Sequence, residues 1–210
     1  MTQRKPVLII IAGPNGSGKT SITTEIANHA WFDGCVYINP DNIAENEFGD
    51  WNSKEAILKA AIQAEQMRED CLLNKKSLAF ETVFSVQNKL DFVSRAKQSG
   101  YFVRLFFIGT RHPSINASRV AMRVMEGGHD VPIPKIISRY SKSIINCAKA
   151  IPIVDRAYVY DNSIDNQPPA LILRTHNGVI SKTYADPGLQ WIEAIKSSIN
   201  KEHIETQSPR

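Results

Sequence analysis

Residues 13–20 read GPNGSGKT, directly after the apolar run VLIIIA and directly before SITTEIANHA. No other stretch restricts the possible folds as strongly. Val7 to Ala12 is an unbroken apolar run, mostly β-branched, as expected of a strand covered on both faces in a parallel sheet. Ile22, Ile26 and Ala30 recur at helical spacing. Between strand and helix, Gly13, Gly18, Lys19 and Thr20 match G-x-x-x-x-G-K-[ST]. Glycines allow backbone N–H groups to turn inward around a phosphate, and the following helix adds its positive N-terminal dipole. In such a loop Lys19 reaches the β- and γ-phosphates and Thr20 binds Mg²⁺. Pro14, Asn15, Gly16, Ser17 and Ser21 complete the cradle. The competing reading is an ordinary glycine-rich turn, and the flanking strand and helix argue against it. ATP and Mg²⁺ are therefore the expected cofactors.

The rest of the chain alternates in the same way. CVYIN (35–39) is a short strand ended by Pro40. A long helix starts at Ser53, its cap, with Ile57, Ala60, Ala64, Met67 and Cys71 on one face. SLAFETV (77–83) reads as a third strand, VQNKLDFVSRAKQSG as a helix ended by Gly100, and YFVRLFFIG (101–109) as a fourth strand. A basic helical region from Pro113 to Ala150 is broken at GGHDVPIP. DRAYVYD (155–161) is a fifth strand. Asn-Gly inside LILRTHNGVISKTY predicts a two-residue hairpin. Leu189, Ile192, Ile195 and Ile199 mark a last amphipathic helix. The expected architecture is α/β: an open parallel sheet of P-loop kinase type flanked by helices, with a helical lid and a C-terminal β-hairpin. Residues 1–200 form one domain, with the lid at about 113–150 and a polar, frayed tail at 201–210.

Composition narrows the class. A chain of 210 residues with 42% hydrophobic content builds one sizeable core. The net charge of +4 suits an anionic small molecule and does not require nucleic acid. No RNA-binding aromatic pattern or recognition-helix signature is legible. Cys35, Cys71 and Cys147 lie far apart without CxxC spacing, which points to a reducing, cytoplasmic setting. No stretch is long enough to span a bilayer.

In open α/β sheets ligands bind beyond the carboxyl ends of the strands. Asp41, after the second strand, and Glu81 with Thr82, ending the third, fall there. Asp41 can accept the proton of an attacking hydroxyl and help hold Mg²⁺, or it can simply cap the helix DNIAENE; position alone leaves the two even. Glu81 and Thr82 can bind acceptor hydroxyls or Mg²⁺-bound water, or be strand-end groups facing solvent. Ser85 and Asn39 are weaker candidates of the same kind. Arg119 and Arg123 share one helix face, and Lys135, Arg139 and Lys142 another, beside Ile136, Tyr140 and Ile144. Arginines on a mobile helical flap neutralise charge on a transferred phosphoryl group, and closure excludes water. A solvated face with a Gly127–Gly128 hinge is the competing reading. His129 reads better as a turn residue than as a catalyst.

Taken in order, AGPNGSGKT, YINPDNIA, FETVFS, LFFIGT, RVMEGGHDVP, RYSKSIIN and VYDNS resemble the zeta-toxin family across about residues 7–163. The resemblance implies an ATP-dependent kinase of toxin–antitoxin type that phosphorylates a hydroxyl of UDP-N-acetylglucosamine. It implies Asp41 as base, Lys19 and Thr20 as ATP–Mg²⁺ ligands, and Glu81 and Thr82 on the substrate side. Arg123 and Arg139 become the phosphate-clamping arginines, with Arg119 able to replace either. The segment around Asn162 falls near the adenine. The better-known toxins carry an arginine shortly after the aspartate, and DNIAEN has none. An antitoxin would be a separate chain. The alternatives are an antibiotic or metabolite kinase of the chloramphenicol phosphotransferase type, and a regulatory P-loop ATPase.

Overall fold

The computed structural model describes residues 5–49, 53–128 and 130–207, with side chains through 199. In chain order the elements are β1 (Val7–Ala12), α1 (Lys19–Ala27), β2 (Val36–Ile38), α2 (Pro40–Glu47), α3 (Lys54–Leu73), β3 (Leu78–Thr82) and α4 (Gln87–Gln98). There follow β4 (Phe102–Gly109), α5 (Pro113–Met125), α6 (Ile133–Ala150), β5 (Arg156–Asp161), β6 (Ala170–His176), β7 (Val179–Thr183) and α7 (Gln190–Gln207).

The seven strands form one sheet in the order β2-β3-β1-β4-β5-β6-β7. β1 to β5 run parallel, and β6 and β7 complete the sheet antiparallel. β1 lies inside the sheet between β3 and β4 and is buried on both faces, which is why its sequence is apolar without alternation. Leu8, Ile10, Phe80, Leu105 and Phe107 face one way, onto α3, α4, α6 and α7. Ile9, Ile11, Phe106 and Ile108 face the other way, onto Ile22 and Ile26 of α1 and onto Trp31 and Phe32. Each fully buried side chain of this size contributes roughly 1.5–3 kcal/mol.

Element ends follow the local chemistry. Ser53 Oγ accepts from Ala56 N at 3.2 Å and caps α3. Ile57 of the expected apolar face is 41% exposed, whereas Ala60, Ala64 and Cys71 are buried. Asn177 (φ 48°) and Gly178 (φ 79°) form the hairpin turn between β6 and β7, and both need the left-handed region that this turn demands.

Two segments differ from expectation. α6 is not a detached flap: Ile136, Tyr140, Ile144, Cys147 and Ala150 belong to the core, because its apolar stripe lies on the sheet. α7 carries helix to Gln207, past the start of the expected tail; residues 208–210, and His129 in the α5–α6 connection, lie outside the described residues. Among the described residues no helix is long and apolar enough to cross a membrane.

Candidate functional site

Five parallel strands end at one edge, so residues 13–20, 39–41, 81–84, 110–116 and 161–165 meet there. Gly16 (φ 70°) and Gly18 (φ 88°) set the curvature of the loop. A methyl group on Gly16 would run into the Asn116 carbonyl, and one on Gly18 into the Asn162 amide. The loop is held from several sides. Gly13 N donates to Thr82 O at 3.2 Å. Asn162 Nδ2 donates to Ser17 O at 2.9 Å, and Asn116 Nδ2 to Asn15 O at 2.7 Å. Arg139 donates to Asn15 Oδ1 at 3.2 Å. Asn116 is fully buried and accepts from Thr110 Oγ1, so it is a fixed strut.

Lys19 Nζ donates to the carbonyls of Gly13 and Pro14, each at 3.1 Å. Burial is the largest influence on its amine and lowers its pKa to about 8. Glu81 and Asp41 pull it back up, and Arg123 and Arg139 push it down. Four of the charged side chains singled out in the sequence thus act on one ammonium group. Thr20 is exposed at the first turn of α1, and Ser17 Oγ is buried without a partner among the described residues. Among the described residues, a glycine cradle that a Cβ would fill, a lysine bonded to loop carbonyls and a buried hydroxyl without a partner fit a bound triphosphate with its Mg²⁺. Among the described residues no three His, Cys, Asp or Glu side chains gather that could hold a metal by themselves.

Glu81 Oε1 accepts from Thr23 Oγ1 at 2.6 Å and from Tyr37 OH at 2.9 Å. Tyr37 OH accepts in turn from Asn39 Nδ2 at 3.2 Å. Burial, with the adjacent Glu81 carboxylate, raises the Tyr37 pKa well above that of an ordinary phenol, so the hydroxyl stays a donor. Both donors reach the same carboxylate oxygen, Oε1. Thr82 Oγ1 accepts from Phe84 N at 3.1 Å and so serves the turn after β3. Phe84 is buried at φ 60°, and its carbonyl accepts from Asn146 Nδ2 at 3.0 Å. Ser143 Oγ donates to Val83 O, so α6 grips the same turn.

Asp41 is exposed in the first turn of α2. The cap of that helix is Asn39, whose Oδ1 accepts from Asp41 N at 2.9 Å; capping does not explain the carboxylate. Arg123 is exposed on α5, its alkyl chain against Gly128. Arg119 sits elsewhere: it donates to Asp165 Oδ1 at 2.6 and 2.9 Å and to Asn162 O at 2.8 Å. It lines a cleft of about 400 Å³ with Gly18, Ser21, Asn162 and Pro168, beside the loop and on the far side from Asp41's strand. Tyr37, Thr23, Asn116, Ser143 and Asn146 were not legible as site residues. Each matters through a hydrogen bond to a residue distant in sequence.

A family model described as zeta toxin matches residues 1–164. An uncharacterized protein of Haemophilus influenzae is 26% identical over 132 residues, covering 63% of this chain and 91% of the relative. Among solved structures, a chain of the AvrRxo1-ORF1:AvrRxo1-ORF2 complex with sulphate ions superposes with a TM-score of 0.65 at 20% identity. That match covers 93% of this chain but 64% of the other, so the chain spans just under two thirds of its length. A chain of the PezAT chromosomal toxin–antitoxin system of Streptococcus pneumoniae gives 0.59 at 17% identity, covering 96% and 88%. At these identities the likeness establishes the fold, that of P-loop kinases.

Proposed function

From the premise that the chain belongs to the zeta-toxin family, we propose that it transfers the γ-phosphate of ATP to a hydroxyl of a small molecule. Family membership favours UDP-N-acetylglucosamine as the acceptor. The observation that carries the reading is the glycine loop between β1 and α1, where a Cβ on Gly13, Gly16 or Gly18 would clash and Lys19 Nζ is held by the Gly13 and Pro14 carbonyls. A bound triphosphate replaces the Gly13 and Pro14 carbonyls as the partner of Lys19. Thr20 and Asp41 would hold Mg²⁺, which neutralises charge on the β- and γ-oxygens. Asp41 orients the acceptor hydroxyl and takes its proton; in a loose transition state that transfer is late, and a strong base is not needed. Glu81 Oε2 positions the acceptor while Thr23 and Tyr37 fix Oε1. Arg139, already latched to Asn15, and Arg123 draw charge off the transferred group. Arg119 and Asn162 border the nucleoside side. In this reading residues 1–200 act as one kinase domain with its lid at about 113–150. The toxin–antitoxin relatives support a separate antitoxin chain as partner.

The test is transfer of label from γ-labelled ATP with Mg²⁺ to UDP-N-acetylglucosamine, chloramphenicol, nucleosides or tRNA. Label in the sugar nucleotide is expected. Label in chloramphenicol alone transfers the assignment to the antibiotic-kinase type, and label only in free phosphate rejects a kinase.

A further inference from the structure

The sheet face that carries α1 continues beyond that helix, and its outer half is open. Cross-strand register assembles the surface. Arg104 of β4 lies opposite Arg156 of β5, which lies opposite His176 of β6. In the next row Phe106, Tyr158, Arg174 and Lys182 line up across β4 to β7. These residues share the face of Phe106 and Tyr160, where Tyr158, Trp31 and Leu171 pack against the inner core and the residues of β6 and β7 lie beyond it. Arg174, His176 and Lys182 are exposed, and Tyr184 is 44% exposed.

The cations are interleaved with rings. The Arg104 guanidinium sits 4.1 Å from the Trp31 ring and 4.8 Å from the Phe102 ring. Its Nη1 donates to Tyr158 OH at 3.3 Å, and its Nε is buried without a partner among the described residues. Tyr158 stacks on Phe106 at 4.8 Å, nearly parallel, and Lys182 Nζ lies 4.6 Å from the Tyr184 ring. Among the described residues Arg104, Arg156, Arg174 and Lys182 form no ion pair. The nearby Asp155 carboxylate is taken by Lys97 and Val103 N. Burial lowers the Arg104 pKa most; Arg156 pushes it the same way, and Tyr158 and Asp155 act against that.

We infer that this face of β4–β7 binds single-stranded nucleic acid, its phosphates on Arg104, Arg156, Arg174 and Lys182 and its bases against Tyr158 and Tyr184. An open sheet with rings between unpaired cations suits unstacked bases and a phosphate chain. An acidic peptide would satisfy the cations and leave the rings unused. The site is distinct from the phosphate loop: Arg104 lies toward the amino end of β4, roughly 17 Å of extended strand from Gly109. The inference does not depend on the proposed kinase reaction.

The experiment is fluorescence anisotropy of fluorescein-labelled twelve-nucleotide oligo(U) and oligo(dT) with the full chain, in saturating ATP–Mg²⁺. Four phosphate contacts give a log–log salt slope of about −3, so affinity falls roughly 50-fold between 50 and 200 mM salt. The double variant Arg174→Ala/Lys182→Ala, at exposed positions, loses tenfold or more and about half the slope. Arg174→Lys retains most of the binding, and Tyr184→Ala weakens it about fivefold or more. Thermal melting and ATP binding of the double variant stay at parent values, which separates this result from the fate of the kinase reading. Absence of binding at 50 mM salt, displacement by ATP–Mg²⁺, equal competition by poly-glutamate, or full binding by the double variant overturns the inference.

Discussion

Replacing Tyr37 with Phe removes one oxygen and keeps the ring against Phe32, 5.8 Å away. Glu81 Oε1 then loses its 2.9 Å donor and keeps Thr23 at 2.6 Å, while Asn39 Nδ2 loses its acceptor. A hydrogen bond to a charged group is worth about 1.5–3 kcal/mol, and the half-buried position places this one at the lower end. At about 1.5 kcal/mol, a chain of this size melts roughly 3–6 °C lower. The same free energy, withdrawn from the orientation of Glu81 in transfer, slows turnover about tenfold. Glu81→Gln is the complement: the amide oxygen still accepts from Thr23 and Tyr37, so melting shifts little while transfer is lost with the charge. The assays are thermal denaturation by circular dichroism and label transfer from γ-labelled ATP. A Tyr37→Phe protein that melts within a degree of the parent and transfers at full rate would refute the network as a positioning device.

Other outcomes follow from the same geometry. Lys19→Ala abolishes both ATP binding and transfer, whereas Asp41→Asn abolishes transfer and leaves ATP binding largely intact by calorimetry; a fully active Asp41→Asn protein removes the base assignment. Gly18→Ala places a methyl group at φ 88° against the Asn162 amide. Left-handed strain of about 1–2 kcal/mol, plus the lost Ser17 latch, lowers nucleotide affinity by tenfold or more in equilibrium binding. Asn146→Ala leaves the buried Phe84 carbonyl unpaired and costs about 1–3 kcal/mol in urea unfolding.

The phosphate loop, its flanking strand and helix, and the hairpin at Asn177–Gly178 were readable from the chain alone. Each is a local pattern: consecutive β-branched residues, glycines at fixed spacing, a two-residue turn. The sheet-end rule also brought Asp41 and Glu81 to the loop's edge, because it needs only strand direction and chain order. Tertiary structure decided what those carboxylates touch. Asn39 rather than Asp41 caps α2, and Tyr37 and Thr23 hold Glu81, through bonds between residues 44 and 58 positions apart. It also paired Arg119 with Asp165 and made α6 part of the core. The basic, ring-lined face of β4–β7 exists only through strand register: Arg104, Arg156 and Arg174 are isolated cations in the sequence. Hydrogen bonds and cross-strand pairs join atoms by position in space, and a linear pattern records only what recurs within a few residues.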